Sequence, residues 1–199
     1  QVTAPKGIDR GNTWLAASTH EGEDEVVLAA HALARQKEPS LRLILAIRHT
    51  RRAADVRAMI ESCGFTVGQR SLGDLPGQGD VYLADTMGEM PLWYAGCGRV
   101  FIGGTLTDRG GHTPFEPAAY GAALLYGPDT RNFRAAFGRL AEENAAIRVN
   151  DAASIAKALG SLSDQNRQSD AGARAKEALR PDTGPEGLCQ LVLQQLPPA

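Results

Sequence analysis

The sequence predicts an α/β fold built on a doubly wound parallel sheet. Three observations carry this. Short apolar runs alternate with amphipathic stretches of helical period through most of the chain. The clearest run, residues 41–47, is rich in Leu and Ile, as expected of a parallel strand covered on both faces. The chain has 199 residues and is 43% hydrophobic, enough for one domain with a buried core.

The elements follow in order. Residues 13–17 read as a short buried strand and residues 21–35 as a helix with Val26, Val27, Ala30, Leu33 and Ala34 on one side. After the strand at 41–47, residues 52–62 form a helix closed by Gly64, a suitable C′ residue. Short strands are expected at 65–69, 81–84, 100–102 and 122–126, with a turn-rich connection over 68–79 and helices elsewhere between them. The later part is mostly helical: 132–143, 152–162, 164–179 and 186–196, with one strand at 147–149. Such alternation places ligands at the carboxyl ends of the strands.

Composition excludes several classes. With 21 Lys and Arg against 23 Asp and Glu, the net charge of −2 argues against a polybasic nucleic-acid binder. The longest apolar run, residues 26–30, is far short of a membrane span, and the first residues lack the pattern of a signal peptide. Three widely spaced cysteines do not make a disulfide framework and suit a reducing, cytoplasmic compartment.

Three strand-to-helix junctions share one pattern, a hydroxyl residue followed three positions later by Glu: Ser18 to Glu21, Thr86 to Glu89 and Thr113 to Glu116. Each reads as a capping box, with Pro114 at the first helical position. A capping box is structural in itself. Helices that follow parallel strands nevertheless start at one edge, where their free amides favour anions such as phosphate. Two glycine pairs, Gly103-Gly104 and Gly110-Gly111, lie beside the third junction and would let backbone approach a ligand. Their spacing fits neither a dinucleotide fingerprint nor a Walker loop. Arg48, at the end of a strand, reads equally as a fork for phosphate or as solvated basic surface, whereas Arg51 and Arg52 read as solvated surface. His20, His49 and His112 fall at the same edge without metal-ligand spacing. His31 reads as a core or boundary histidine.

Together these segments resemble the Kdo transferase family, which adds 3-deoxy-D-manno-octulosonic acid (Kdo) from CMP-Kdo to a lipid A precursor. The matching blocks are Trp14 to Glu23, Arg48-His49, Asp85-Thr86-Met87-Gly88-Glu89, Phe101 to Leu106, Arg109-Gly110-Gly111-His112-Thr113-Pro114-Phe115-Glu116-Pro117, Gly127-Pro128 and Asn132-Phe133. The resemblance covers the carboxyl-terminal, donor-binding half of a Rossmann-like GT-B glycosyltransferase. It implies CMP-Kdo contacts at Ile47 and Arg48, at Met87, Gly88 and Glu89, and at Thr113, Pro114, Phe115 and Glu116. Weaker candidates are Ser18, Thr19, His20, Gly104, His112 and Asn132.

Ile47 stands where the family has Pro, Thr50 where a Pro is usual, and Thr113 where it has Asn. Thr still offers a capping oxygen, but the amide donor is lost. Arg48 and the helix start near Thr113 are expected to meet the phosphate, Glu116 the ribose, and Glu89 the nucleotide or a helix cap. The resemblance implies inversion with no metal or cofactor. It places the general base, the acceptor groove and the membrane anchor in an amino-terminal domain, so this half carries no catalytic residue. Residues 1–12 then read as an inter-domain connection, 13–180 as the CMP-Kdo-binding domain and 181–199 as a helical tail. The full-length protein is expected at the cytoplasmic face of the bacterial inner membrane, with this part soluble and inactive alone. Rival readings are a related transferase or epimerase half using a UDP-sugar, and a stand-alone nucleotide-binding domain.

Overall fold

The computed structural model describes residues 2–180. It contains a seven-stranded sheet in which every paired strand is parallel to its neighbour. The strands are β1 (Thr13–Thr19), β2 (Arg42–Ile47), β3 (Val67–Gln69), β4 (Val81–Ala84), β5 (Arg99–Ile102), β6 (Ala123–Tyr126) and β7 (Ala146–Arg148). The helices are α1 (Asp24–Arg35), α2 (Ala53–Ser62), α3 (Met90–Gly96), α4 (Phe115–Ala119), α5 (Arg134–Glu142), α6 (Ala152–Ser161) and α7 (Gln165–Ala178).

The sheet order is β3-β4-β2-β1-β5-β6-β7. The chain therefore lays β2, β3 and β4 on one side of β1, with β4 inserted between β2 and the edge strand β3, then returns to lay β5 on the other side. That reversal makes a crevice outside the carboxyl ends of β1 and β5, where open α/β sheets bind their ligands.

Strand alternation divides the core in two. Trp14, Ala16, Leu43, Leu45 and Phe101 face one side, packed with residues of α1, α2 and α6. Leu15, Ala17, Ile44, Ala46, Val100 and Ile102 face the other, with residues of α3, α4, α5 and α7. Successive side chains of a strand point to opposite faces, so strands apolar at every position need helices on both.

Helix boundaries follow local chemistry only in part. After α2, Gly64 takes a left-handed φ of 81° and closes a Schellman motif, with Gly64 N donating to Glu61 O and Phe65 N to Ile60 O. A capping box does exist, but at α6, where the Asp151 side chain accepts from Ser154 N and Ser154 Oγ accepts from Asp151 N. The helix expected at 186–196 and the tail at 181–199 lie outside the described residues.

Residues 10–12 form a 3-10 turn fixed at the amino ends of the strands. Arg10 donates from Nη1 to Tyr94 O (2.9 Å) and Ala95 O (3.0 Å), and from Nη2 to Tyr120 O (2.9 Å) and Gly121 O (3.0 Å). Nearby, Arg99 is fully buried and forks onto Glu38 through two 3.0 Å hydrogen bonds.

Candidate functional site

The site begins where β1 stops pairing regularly. Its register with β2 slips between Ala17 and Thr19, and Ser18 in the slip has a φ of 58°. This bulge re-aims the loop that follows. Thr19 Oγ1 donates to Asp24 Oδ1 at 2.7 Å, and Arg52 forms an ion pair with Asp24 Oδ2. Arg52 is thus a partner of a buried carboxylate, not the solvated surface residue the sequence suggests. Burial pushes the Asp24 carboxyl above its ordinary value, opposed by the Thr19 and Arg52 contacts.

The three expected capping boxes do not form. The helix α1 starts at Asp24, and Glu21 is exposed. Glu23, fully buried, accepts from His20 N (3.0 Å), Gly104 N (2.7 Å) and Leu106 N (3.0 Å). One carboxylate thereby ties the loop after β1 to the loop after β5. No local pattern announces this, because two of its three donors lie about eighty residues away. At α3, Thr86 Oγ1 bonds the Glu89 carboxylate itself, and Arg70 forks onto the same group at 2.7–3.2 Å. Arg70 holds Glu89 below the ordinary carboxylate range. At α4, Pro114 is the N-cap residue, not the first helical one, and the Thr113 hydroxyl reaches only Phe115 N at 3.4 Å. With five residues, α4 is too short to carry the strong dipole expected of it.

The glycine-rich loop after β5 folds back on itself. Gly103 N donates to Ala17 O (2.8 Å), Gly111 N to Gly104 O (2.8 Å) and His112 N to Gly103 O (3.1 Å). A Cβ on Gly103 would lie 2.5 Å from Ser18 O, so only glycine lets β1 and β5 end this close together. Asn132 supports the loop from outside, donating from Nδ2 to Arg109 O (3.0 Å) and Gly111 O (3.2 Å). Asp129 Oδ2 accepts from Gly110 N at 2.7 Å. Asn132 is thus a support of the loop rather than a side chain free for ligand.

These contacts bring His20 and His112 together. Their Nε2 atoms are 2.9 Å apart, with ring planes within 5° of parallel and centroids 5.1 Å apart. Those values put the rings end to end in nearly one plane. His49 meets His20 edge-on at 5.5 Å. Burial lowers the His20 value to about 4, with further lowering by His112, Arg109, His49 and Arg48. His112 is lowered for the same reasons, burial first and then Arg48 and His49. Arg48 and Arg109 are exposed, and neither guanidinium has a hydrogen-bond or ion-pair partner among the described residues. Two unpaired guanidiniums and three imidazoles therefore surround the ends of β1, β2 and β5.

The remaining expected residues lie along the same edge without joining this cluster in direct contact. Ile47 is buried at the end of β2. Met87 is 66% exposed and Phe115 48% exposed, and Gly88 turns the loop between β4 and α3 with a φ of 81°. Glu116 is exposed, and its carboxylate has no hydrogen-bond partner among the described residues. Glu23, Asp24 and Arg109 are the residues that sequence reasoning did not single out. Among the described residues no group of three or more His, Cys, Asp or Glu is arranged to hold a metal ion.

The fold is shared with the carboxyl-terminal halves of GT-B glycosyltransferases. TarM of S. aureus matches 98% of this chain over 37% of its own, at TM-score 0.62 and 11% identity. A nearer relation is the C-terminal CMP-Kdo binding domain of WaaA from Acinetobacter baumannii. That structure matches 87% of this chain and 91% of its own, at TM-score 0.80 and 30% identity. The 3-deoxy-D-manno-octulosonic acid transferase of Haemophilus influenzae is 39% identical over 141 residues, which is 70% of this chain and 33% of that protein. The chain belongs to the Kdo transferase family, within its carboxyl-terminal domain. It spans about a third of the length of curated relatives such as those from Haemophilus influenzae and Bordetella pertussis. No protein-family model matches the chain.

Proposed function

We propose that this domain binds CMP-Kdo and forms the donor half of a Kdo transferase acting on a lipid A precursor. The observation that carries the reading is the cationic edge at the β1/β5 crevice, where Arg48 and Arg109 stand unpaired around a close-packed glycine loop. When the glycosidic bond breaks, negative charge grows on the CMP phosphate, and prearranged cations and amides stabilise it most in a site closed from water. Arg48 is the phosphate partner in this reading. Met87, Gly88, Thr113, Pro114 and Phe115 border the nucleotide, and Glu116, free of internal partners, takes the ribose hydroxyls. Glu89 acts through Arg70, which it holds beside the Met87 loop. The general base and acceptor groove belong to another domain, so transfer requires that partner half. In this reading the whole enzyme works at the cytoplasmic face of the inner membrane. Among the described residues no helix is long and apolar enough to cross a membrane.

Titration with CMP and UDP by calorimetry tests the reading. CMP should bind more tightly than UDP, and Arg48→Ala should weaken CMP by about tenfold to a hundredfold, the worth of a charged hydrogen bond. Equal binding or a preference for UDP would point to a UDP-sugar enzyme and overturn the assignment. Unchanged CMP affinity in Arg48→Ala would remove Arg48 from the phosphate.

A further inference from the structure

We infer that the His20–His112 pair is a proton-coupled anion clamp, taking up a proton from solvent when the donor's phosphate enters the β1/β5 crevice. The inference rests on the reading of this edge as the donor site. Its basis is the end-to-end contact between the two imidazoles, 2.9 Å from Nε2 to Nε2. One ring must donate across that contact and the other accept. The donating ring carries its hydrogen on Nε2 and has a bare Nδ1, while the accepting ring carries its hydrogen on Nδ1. Neither Nδ1 has a hydrogen-bond partner among the described residues.

The pair can therefore gain one proton, at the bare Nδ1, without losing its internal hydrogen bond. The product is an imidazolium donating to an imidazole, a charge-assisted contact stronger than the neutral one. What opposes this before an anion enters is burial first, and then the surrounding charge. Arg48 and His49 face the pair from the loop after β2, and Arg109 from the glycine loop. The nearby carboxylates of Glu23 and Asp24 are engaged, by three backbone amides and by Thr19 with Arg52. An anion in the crevice offsets the two guanidiniums and attracts the extra proton, so it raises the pair's proton affinity although the burial cost remains.

The experiment is calorimetric titration of CMP near pH 6.5 in buffers of different ionisation enthalpy, for the wild-type protein and for His112→Asn. The nucleotide's own phosphate proton cancels in the difference. The wild type should take up about half a proton more per CMP than the variant, and its affinity should fall more steeply as pH rises. Nitrogen-15 shifts of the donating ring, whether His20 or His112, should move toward the imidazolium value on adding CMP. His20→Asn, checked for an intact fold by circular dichroism, should lose the uptake as well. CMP binding with equal uptake in wild type and both variants would overturn the clamp and leave the donor-site reading standing. No CMP binding by the wild type would overturn both.

Discussion

His31 shows how one residue sets a condition on the whole fold. It is fully buried, its Nδ1 accepts from Trp14 Nε1 at 3.1 Å, and its Nε2 lies 3.2 Å from Asp80 O. Those partners fix a neutral ring with its hydrogen on Nε2, and burial lowers its value from 6.5 to about 4. Between those values the unfolded chain binds the proton and the folded chain refuses it. Stability is therefore full above pH 6.5 and falls as pH drops toward 4, by up to about 3 kcal/mol. Thermal unfolding from pH 7 to pH 4.5 should show the loss. His31→Gln keeps one acceptor and one donor without titrating, so it should flatten part of the profile, the remainder belonging to groups such as His20, His112 and Glu89. An unchanged profile would place the acid sensitivity elsewhere. Ser18 poses a different residue-scale question, because its φ of 58° is costly for any residue with a Cβ. Ser18→Gly should raise stability by up to about 1 kcal/mol in urea unfolding. If the hydroxyl also meets ligand, CMP affinity should fall while stability rises.

At the scale of elements, the strands were legible and the junctions were not. Residues 81–84 are a strand in both descriptions, and 41–47 differs by one residue, because a buried parallel strand declares itself by an unbroken apolar run. The start of α1 was misplaced by three residues because Glu23 answers to Gly104 and Leu106, not to its own helix. The same limit applies to the site. His20, His49 and His112 each follow a strand, which puts them at one edge, but the bulge at Ser18 and the fold-back of the glycine loop bring the rings together. Arg52 misled for a similar reason: its acidic partner lies 28 positions earlier. The junction of β1 and β5 supplies the test at this scale. Gly103→Ala would drive a Cβ into Ser18 O and Ala17 O, at 2.5 and 2.6 Å. The two strand ends must then part, at a cost of about 1–3 kcal/mol. CMP binding should weaken with stability, since the His20–His112 contact depends on that approach. Gly64→Ala, far from the edge and open in space though left-handed, should lower stability without that coupling.

The whole molecule separates its two edges by task. The carboxyl edge leaves Arg48 and Arg109 unpaired among the described residues, whereas at the amino edge Arg10 and Arg99 spend their terminal nitrogens on internal acceptors. Arg10 is the pin of that edge: through four carbonyls it joins the segment before β1 to the end of α3 and the turn after α4. Those carbonyls belong to elements on the α3/α4 face of the sheet, against which Ile8 also packs. Arg10→Ala should cost about 2–4 kcal/mol, since charged donors are lost from partly buried acceptors that regain some water. For a domain of this size the melting temperature should drop by several degrees. CMP affinity should be unchanged, because the sheet lies between Arg10 and the β1/β5 crevice. Equal losses of stability and CMP affinity would mean that the two edges are coupled through the strands, and the division of labour would fail.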